Sequence, residues 1–85
     1  MLRTLFVGNL AFTATDAELY ALFAAVAPVE QARVILDRET QRARGFGFVT
    51  MTDAFGAEEA LRRLHGARAF GRELVVMPAR ERIPR

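Results

Sequence analysis

Eighty-five residues make one small domain with a thin core and leave no room for a second, so any site lies on or near the surface. With no Cys and a single His, disulfides, thiolate metal centres, CxxC redox chemistry and a histidine metal cluster are excluded, and a location in the cytoplasm is expected. The formal charge is only +2, from twelve basic residues, all Arg, against ten acidic ones, so the placement of charge matters more than its sum.

Leu5-Phe6-Val7 reads as a short strand that Gly8-Asn9 ends, too early for a signal peptide. Thr15-Asp16-Ala17-Glu18 is a capping-box pattern and starts a helix. Leu19, Leu22, Phe23 and Val26 then fall at i, i+3, i+4 and i+7, one stripe for the core, and Pro28 helps close the helix. The apolar run 19–27 is far shorter than the roughly 20 residues that cross a bilayer. VEQARVIL at 29–36 is the second strand, and the polar stretch Asp37 to Ala43 joins it to RGFGFVTM at 44–51.

In that third strand, alternation puts Phe46, Phe48 and Thr50 on one face and Gly45, Gly47, Val49 and Met51 on the other. Asp53 caps a second helix whose buried stripe is Ala57, Ala60, Leu61 and Leu64. Its outer face pairs Glu58 with Arg62 and Glu59 with Arg63 at i, i+4, and Gly66 suits its C-terminal end. ELVVM at 73–77 is the last strand, stopped by Pro78. His65 is expected to cap or pack at a helix end, Phe12 and Phe55 to pack in core or loops, and Arg3 to be a solvated terminal residue. Strand, helix, strand, strand, helix, strand favours an α+β fold with both helices on one face of an antiparallel sheet. Gly45 and Gly47 would point toward the helices and permit close packing, which leaves Phe46 and Phe48 on the uncovered face, where exposed rings call for a partner.

Arg44 to Met51 is similar to the octapeptide ribonucleoprotein motif of RNA recognition motif domains, basic-Gly-aromatic-Gly-aromatic-aliphatic-any-aromatic, and Leu5 to Leu10 resembles the family's hexapeptide motif. DRET before the octapeptide, AEEALRRLHG in the second helix and GRELVVMPAR at the last strand also fit, so the resemblance covers nearly the whole chain. It implies a ferredoxin-like βαββαβ sandwich with strand order 4-1-3-2. It further implies a single domain over 1–85, with about 3–80 as folded core and 81–85 as a basic tail.

The implied function is binding of single-stranded RNA, with single-stranded DNA left open, by a monomer that needs no cofactor or metal, acts on no small-molecule substrate, touches no membrane and is not an enzyme. Phe6, Phe46 and Phe48 match the family's base-stacking positions, and a ring stacked on an unpaired base contributes about 1–3 kcal/mol whatever the base. Arg44 at the strand entrance, with Arg33, Arg38, Arg42 and Arg80, is suited to phosphate or base-edge contacts, and Arg82 and Arg85 add charge beyond the last strand. Thr4, Ile35, Thr50, Val75 and Met77 are expected as neighbours on the same face. Asp16, Glu18, Asp53, Glu58 and Glu59 would make the helix side acidic.

The chain departs from the family pattern at four places: Met51 stands for a final aromatic, Gln41 for a Gly after Thr40, Ala27-Pro28 for a Gly, and apolar Val75 and Met77 for polar readers. A rival reading is a protein-binding variant of the fold, in which Arg68 and Phe70 of Arg68-Ala69-Phe70 hold a partner's tryptophan. An acylphosphatase-like hydrolase would need a basic phosphate-cradling loop, which Gly8-Asn9-Leu10-Ala11 is not. The GFG of the third strand lacks the last Gly and the helix start of a dinucleotide loop.

Overall fold

The structure, a computed structural model, describes residues 3–79. In chain order the elements are β1 (Thr4–Gly8), α1 (Asp16–Ala24), β2 (Val29–Leu36), β3 (Ala43–Met51), α2 (Ala54–Leu64), β4 (Arg68–Ala69), β5 (Arg72–Glu73) and β6 (Val75–Pro78). One antiparallel sheet runs β2-β3-β1-β6, the expected 4-1-3-2 order with β6 as the fourth long strand, and β4 and β5 form a separate ribbon.

Thr15 begins α1 from an extended backbone: its hydroxyl accepts from the Glu18 N–H, and the Glu18 carboxylate accepts from the Thr15 N–H. Such a cap contributes about 1 kcal/mol, because it satisfies donors that the first turn leaves unpaired. The helix lies over β2 and β3 and buries Leu19 and Phe23 completely. Asp16 has a second task, since its carboxylate accepts the Val34 N–H at 2.7 Å where the β2–β3 pairing shifts register between Val34 and Leu36.

Asp53 caps α2 through the Gly56 N–H at 2.7 Å, and the helix lies on β1, β3 and β6 with Ala57, Ala60 and Leu64 buried. Its outer face keeps one expected pair, Glu59 with Arg63, and replaces the other, Glu58 with Arg62. Arg62 and Arg63 both donate to Glu59, because residues three and four positions along lie on the same side of a helix. Those two bonds hold the Glu59 carboxyl below the usual range.

The last strand also begins later than expected. Leu74 turns its side chain into the core, its N–H bonding Ala67 and its carbonyl accepting from Gly66, which removes Glu73 from the sheet. Glu73 pairs with Arg68 instead, in a hairpin whose turn residues Phe70 and Gly71 both have positive φ (54° and 77°), the type I′ geometry that suits two-residue hairpins. Pro78 is the last residue of the strand rather than the first beyond it, which an edge strand tolerates. Arg3 is not simply solvated: it donates to Glu30 at 2.8 Å and to the Met51 carbonyl at 3.1 Å. Met51 is fully buried on the helix side, so its departure from the family pattern alters packing alone.

Candidate nucleic-acid interface

The central strands β1 and β3 pair Phe6 with Phe48 and Gly8 with Phe46, so residues two apart on each strand present one continuous face. The three rings converge there. Phe6 and Phe46 are stacked with centroids 5.7 Å apart and planes at 30°, while Phe48 meets Phe6 edge-on at 5.9 Å and Phe46 at 6.1 Å. All three are half-buried by one another, and no other element covers them among the described residues.

Gly8 makes this arrangement possible. A Cβ there would lie 2.8 Å from Phe6 Cε2, so the Phe6 ring leans along its own strand over the bare glycine toward Phe46. The sequence signal for it is a Gly two residues after an aromatic on the same face, Phe6 and Gly8. Gly47 behaves as expected: its Cβ would stand 2.6 Å from the Arg33 carbonyl oxygen and 3.2 Å from Leu19 Cδ2, on the helix side. Gly45 does not point at the helices. With φ +91° it faces the ring of Phe12 at 3.4 Å, and its carbonyl accepts the Leu10 N–H, because the irregular pairing at this end of β3 re-aims it.

Arginine surrounds the rings. The Arg44 guanidinium lies 6.0 Å from the Phe46 centroid, Arg33 stands opposite Phe48 on β2, and Arg38 and Arg42 are exposed on the β2–β3 loop. That loop closes without the glycine of the family pattern, since Gln41 itself adopts φ 62°. Asp37 compensates by accepting the N–H groups of Glu39 and Thr40 at 2.9 and 3.1 Å, and its own N–H bonds Arg42 at 2.7 Å. The Thr40 bond first, then that of Glu39, lowers the Asp37 carboxyl below its usual 3.8. Asp37 and Glu39 therefore place negative charge among the arginines, so the division into an acidic helix side and a basic ring side is less clean than expected. Arg80, Arg82, Arg85 and the tail 81–85 lie outside the described residues.

Register puts the remaining expected neighbours on this face. Thr4 and Thr50 sit opposite each other with hydroxyls 3.1 Å apart, Met77 stands opposite Phe6 and is 46% exposed, Val75 is opposite Gly8, and Ile35 is half-buried beside the register shift. Two aromatics depart from expectation: Phe12 is 69% and Phe55 81% exposed, neither in the core. Each belongs to a segment whose inward positions other residues fill, Leu10 and Ala14 around Phe12, Gly56 and Ala57 after Phe55. His65 packs at its helix end as expected, Nδ1 accepting the Val76 N–H at 3.1 Å. Phe70 is half-buried against the core, and Arg68 is exposed. Among the described residues no three His, Asp or Glu side chains form a metal-holding group, and no helix is long and apolar enough to cross a membrane.

Residues 5–75 match the family model described as RNA recognition motif. Among curated proteins, the chain is 47% identical over 92% of its length to the chloroplastic 28 kDa ribonucleoprotein of Spinacia oleracea, of which it covers 34%. It is 43% identical over 96% of its length to the mitochondrial glycine-rich RNA-binding protein 2 of Arabidopsis thaliana, covering 52% of it. The chain thus spans about a third and about half of these two relatives. Among solved structures, RNA Binding Protein PG1 superposes with TM-score 0.90 at 41% identity, covering 96% of this chain and 99% of that one. The Sxl-lethal protein/RNA complex gives 0.88 at 34%, covering 94% and 48%. The expected cytoplasmic location is overturned by these relatives, whose names place them in the chloroplast and the mitochondrion. Lack of Cys restricts redox chemistry and carries no cellular address.

Proposed function

The chain belongs to the RNA recognition motif family, and from that premise we propose that it binds single-stranded RNA by stacking two or three unpaired bases on Phe6, Phe46 and Phe48. The observation that carries this reading is the convergence of three rings, within 6.1 Å of one another, on a sheet face left open among the described residues. An open patch of rings is costly in water unless a ligand covers it, and the faces of unpaired bases match it in shape and polarity. Arg33, Arg38, Arg42 and Arg44 take the phosphates, and Arg80, which follows β6 in the sequence, is assigned the same role. Supporting it further are a family of RNA-binding rather than enzymatic domains and a structural neighbour recorded as a complex with RNA. The unit of function is one domain over 1–85, with 81–85 as a basic tail.

The test is titration of a labelled single-stranded RNA pool, with duplex RNA and single-stranded DNA of the same sequences alongside. Saturable binding to the single strands and much weaker binding to duplex is the expected result. A folded protein with no single-strand affinity would overturn the proposal and turn attention to Arg68 and Phe70, although Phe70 already spends part of its ring on the core.

A further inference from the structure

One row of the open face is polar, and its position depends on an irregularity of β2. Val29 pairs with Met51, yet Gln31 pairs with Thr50, so β2 carries one extra residue, Glu30, opposite the step from Met51 to Thr50. In a regular strand Val29 and Gln31 would share a face. The bulge separates them: Val29 stays buried opposite buried Met51, and Gln31 comes out exposed opposite Thr50 on the side of the rings. Arg3 pins the bulge from the far side of β3 by donating to both the Glu30 carboxylate and the Met51 carbonyl.

Gln31, Thr50 and Thr4 therefore stand side by side across three strands, one row from Arg33, Phe48, Phe6 and Met77. Between them they offer an amide with an adjacent donor and acceptor and two hydroxyls. The hydroxyls bond one another at 3.1 Å with either as donor, so the pair can present either polarity to a ligand without reorganising the strands. Gln31 makes no side-chain hydrogen bond among the described residues. At the opposite end of the platform, the row through Phe46 continues into Gly8 and Val75, which offer no polar side chain.

We propose that the Gln31–Thr50–Thr4 row reads the hydrogen-bonding edge of one base, the one stacked at the Phe48 and Phe6 end, so that a bound strand carries one selected position there while the base on Phe46 is accepted regardless of identity. This rests on the RNA-binding reading above and assigns its selectivity to a row of which two residues, Thr4 and Gln31, lie outside the two family motifs. Arg3 and Glu30 are positioning residues that hold Gln31 at the row.

The experiment measures wild type, Gln31→Ala and the Thr4→Val, Thr50→Val double variant against short single-stranded RNAs in which one position at a time carries each of the four bases, with the fully randomised pool as reference. Wild type should prefer one base or one pair of bases at a single position by about tenfold or more, the size expected of a well-placed pair of hydrogen bonds. Both variants should flatten that preference while keeping pool affinity within about threefold and the melting transition near wild type, because the substituted groups are not part of the core. Glu30→Ala should reduce the same preference through the bulge, without touching the ligand. Pool binding with no selected position, or a preference that survives in all three variants, would refute the row as the reader and leave the stacking platform standing. Absence of pool binding by wild type would instead remove the premise.

Discussion

The two faces of β3 differ in kind although they are built from the same nine residues. Toward the helices, Gly47, Val49 and Met51 are buried, and the strand is so close to its neighbour that a single methyl at Gly47 would press on the Arg33 carbonyl at 2.6 Å. Away from the helices, Phe46, Phe48 and Thr50 are each only half-buried, and the rings touch mainly one another. The helix face is buried, and in a close-packed interior each removed or added atom is felt. The ring face holds large apolar groups where the fold gains little from them. On the proposed reading, stability and recognition fall on alternate residues of one strand, and substitutions two or three positions apart are expected to separate them.

The largest effect should come from breaking that separation on both sides. Phe46→Ala with Phe48→Ala removes two stacking surfaces at about 1–3 kcal/mol each, so single-stranded RNA should bind roughly thirtyfold to more than ten-thousandfold more weakly. The cooperative melt should stay largely intact. Val49→Ala should reverse the pattern: loss of a fully buried side chain is expected to cost about 2 kcal/mol, lowering the midpoint by roughly 8–16 °C, while the folded protein binds nearly as well as wild type. Parallel melts and titrations decide it. If both substitutions moved stability and affinity together, the two faces would not be functionally distinct.

A smaller effect should sharpen the electrostatic side of the ring face. Arg44, beside Phe46 at the strand entrance, is assigned to a phosphate, and each phosphate neutralised on a single strand contributes about 0.7 to the slope of log affinity against log salt. Arg44→Ala should lower that slope by about this amount in a salt titration. An unchanged slope and affinity would remove the phosphate role and leave Arg44 as a neighbour of the ring.

The smallest effect concerns the loop that carries Arg38 and Arg42. Because the folded Asp37 carboxyl lies below its ordinary value, ionised Asp37 favours the closed loop above about pH 4, and that contribution is lost as pH falls through the folded value. Amide resonances of Glu39 and Thr40 should move together in this acid range, and Asp37→Ala should show the loosened loop already at neutral pH. The site is exposed, so the global melt should change little. Resonances of Glu39 and Thr40 that ignored both acid and the substitution would mean that Asp37 does not hold the loop.

What the sequence determined by itself is local or periodic. Thr15 with Glu18 and Asp53 each start a helix, since a cap needs only residues within three positions of it. The limits of β2, the inward stripes of both helices and the division of β3 from Phe46 to Met51 into ring and core faces follow from spacing alone, because strand and helix periods are fixed by backbone geometry. Phe46 and Phe48 were legible as candidates for that reason, and Phe6 joined them through the resemblance of its motif. Only the tertiary structure decided the rest. Gly8 seats the Phe6 ring because Phe46 stands on the neighbouring strand, and one extra residue in β2 turns Gln31 to the open face while Val29 stays inside. Phe12 and Phe55 are exposed because smaller residues reach the core first, and Leu74 enters it in place of extending β6. Each of these outcomes depends on which distant strand or helix occupies the adjoining space, and periodicity along a single segment carries no record of that.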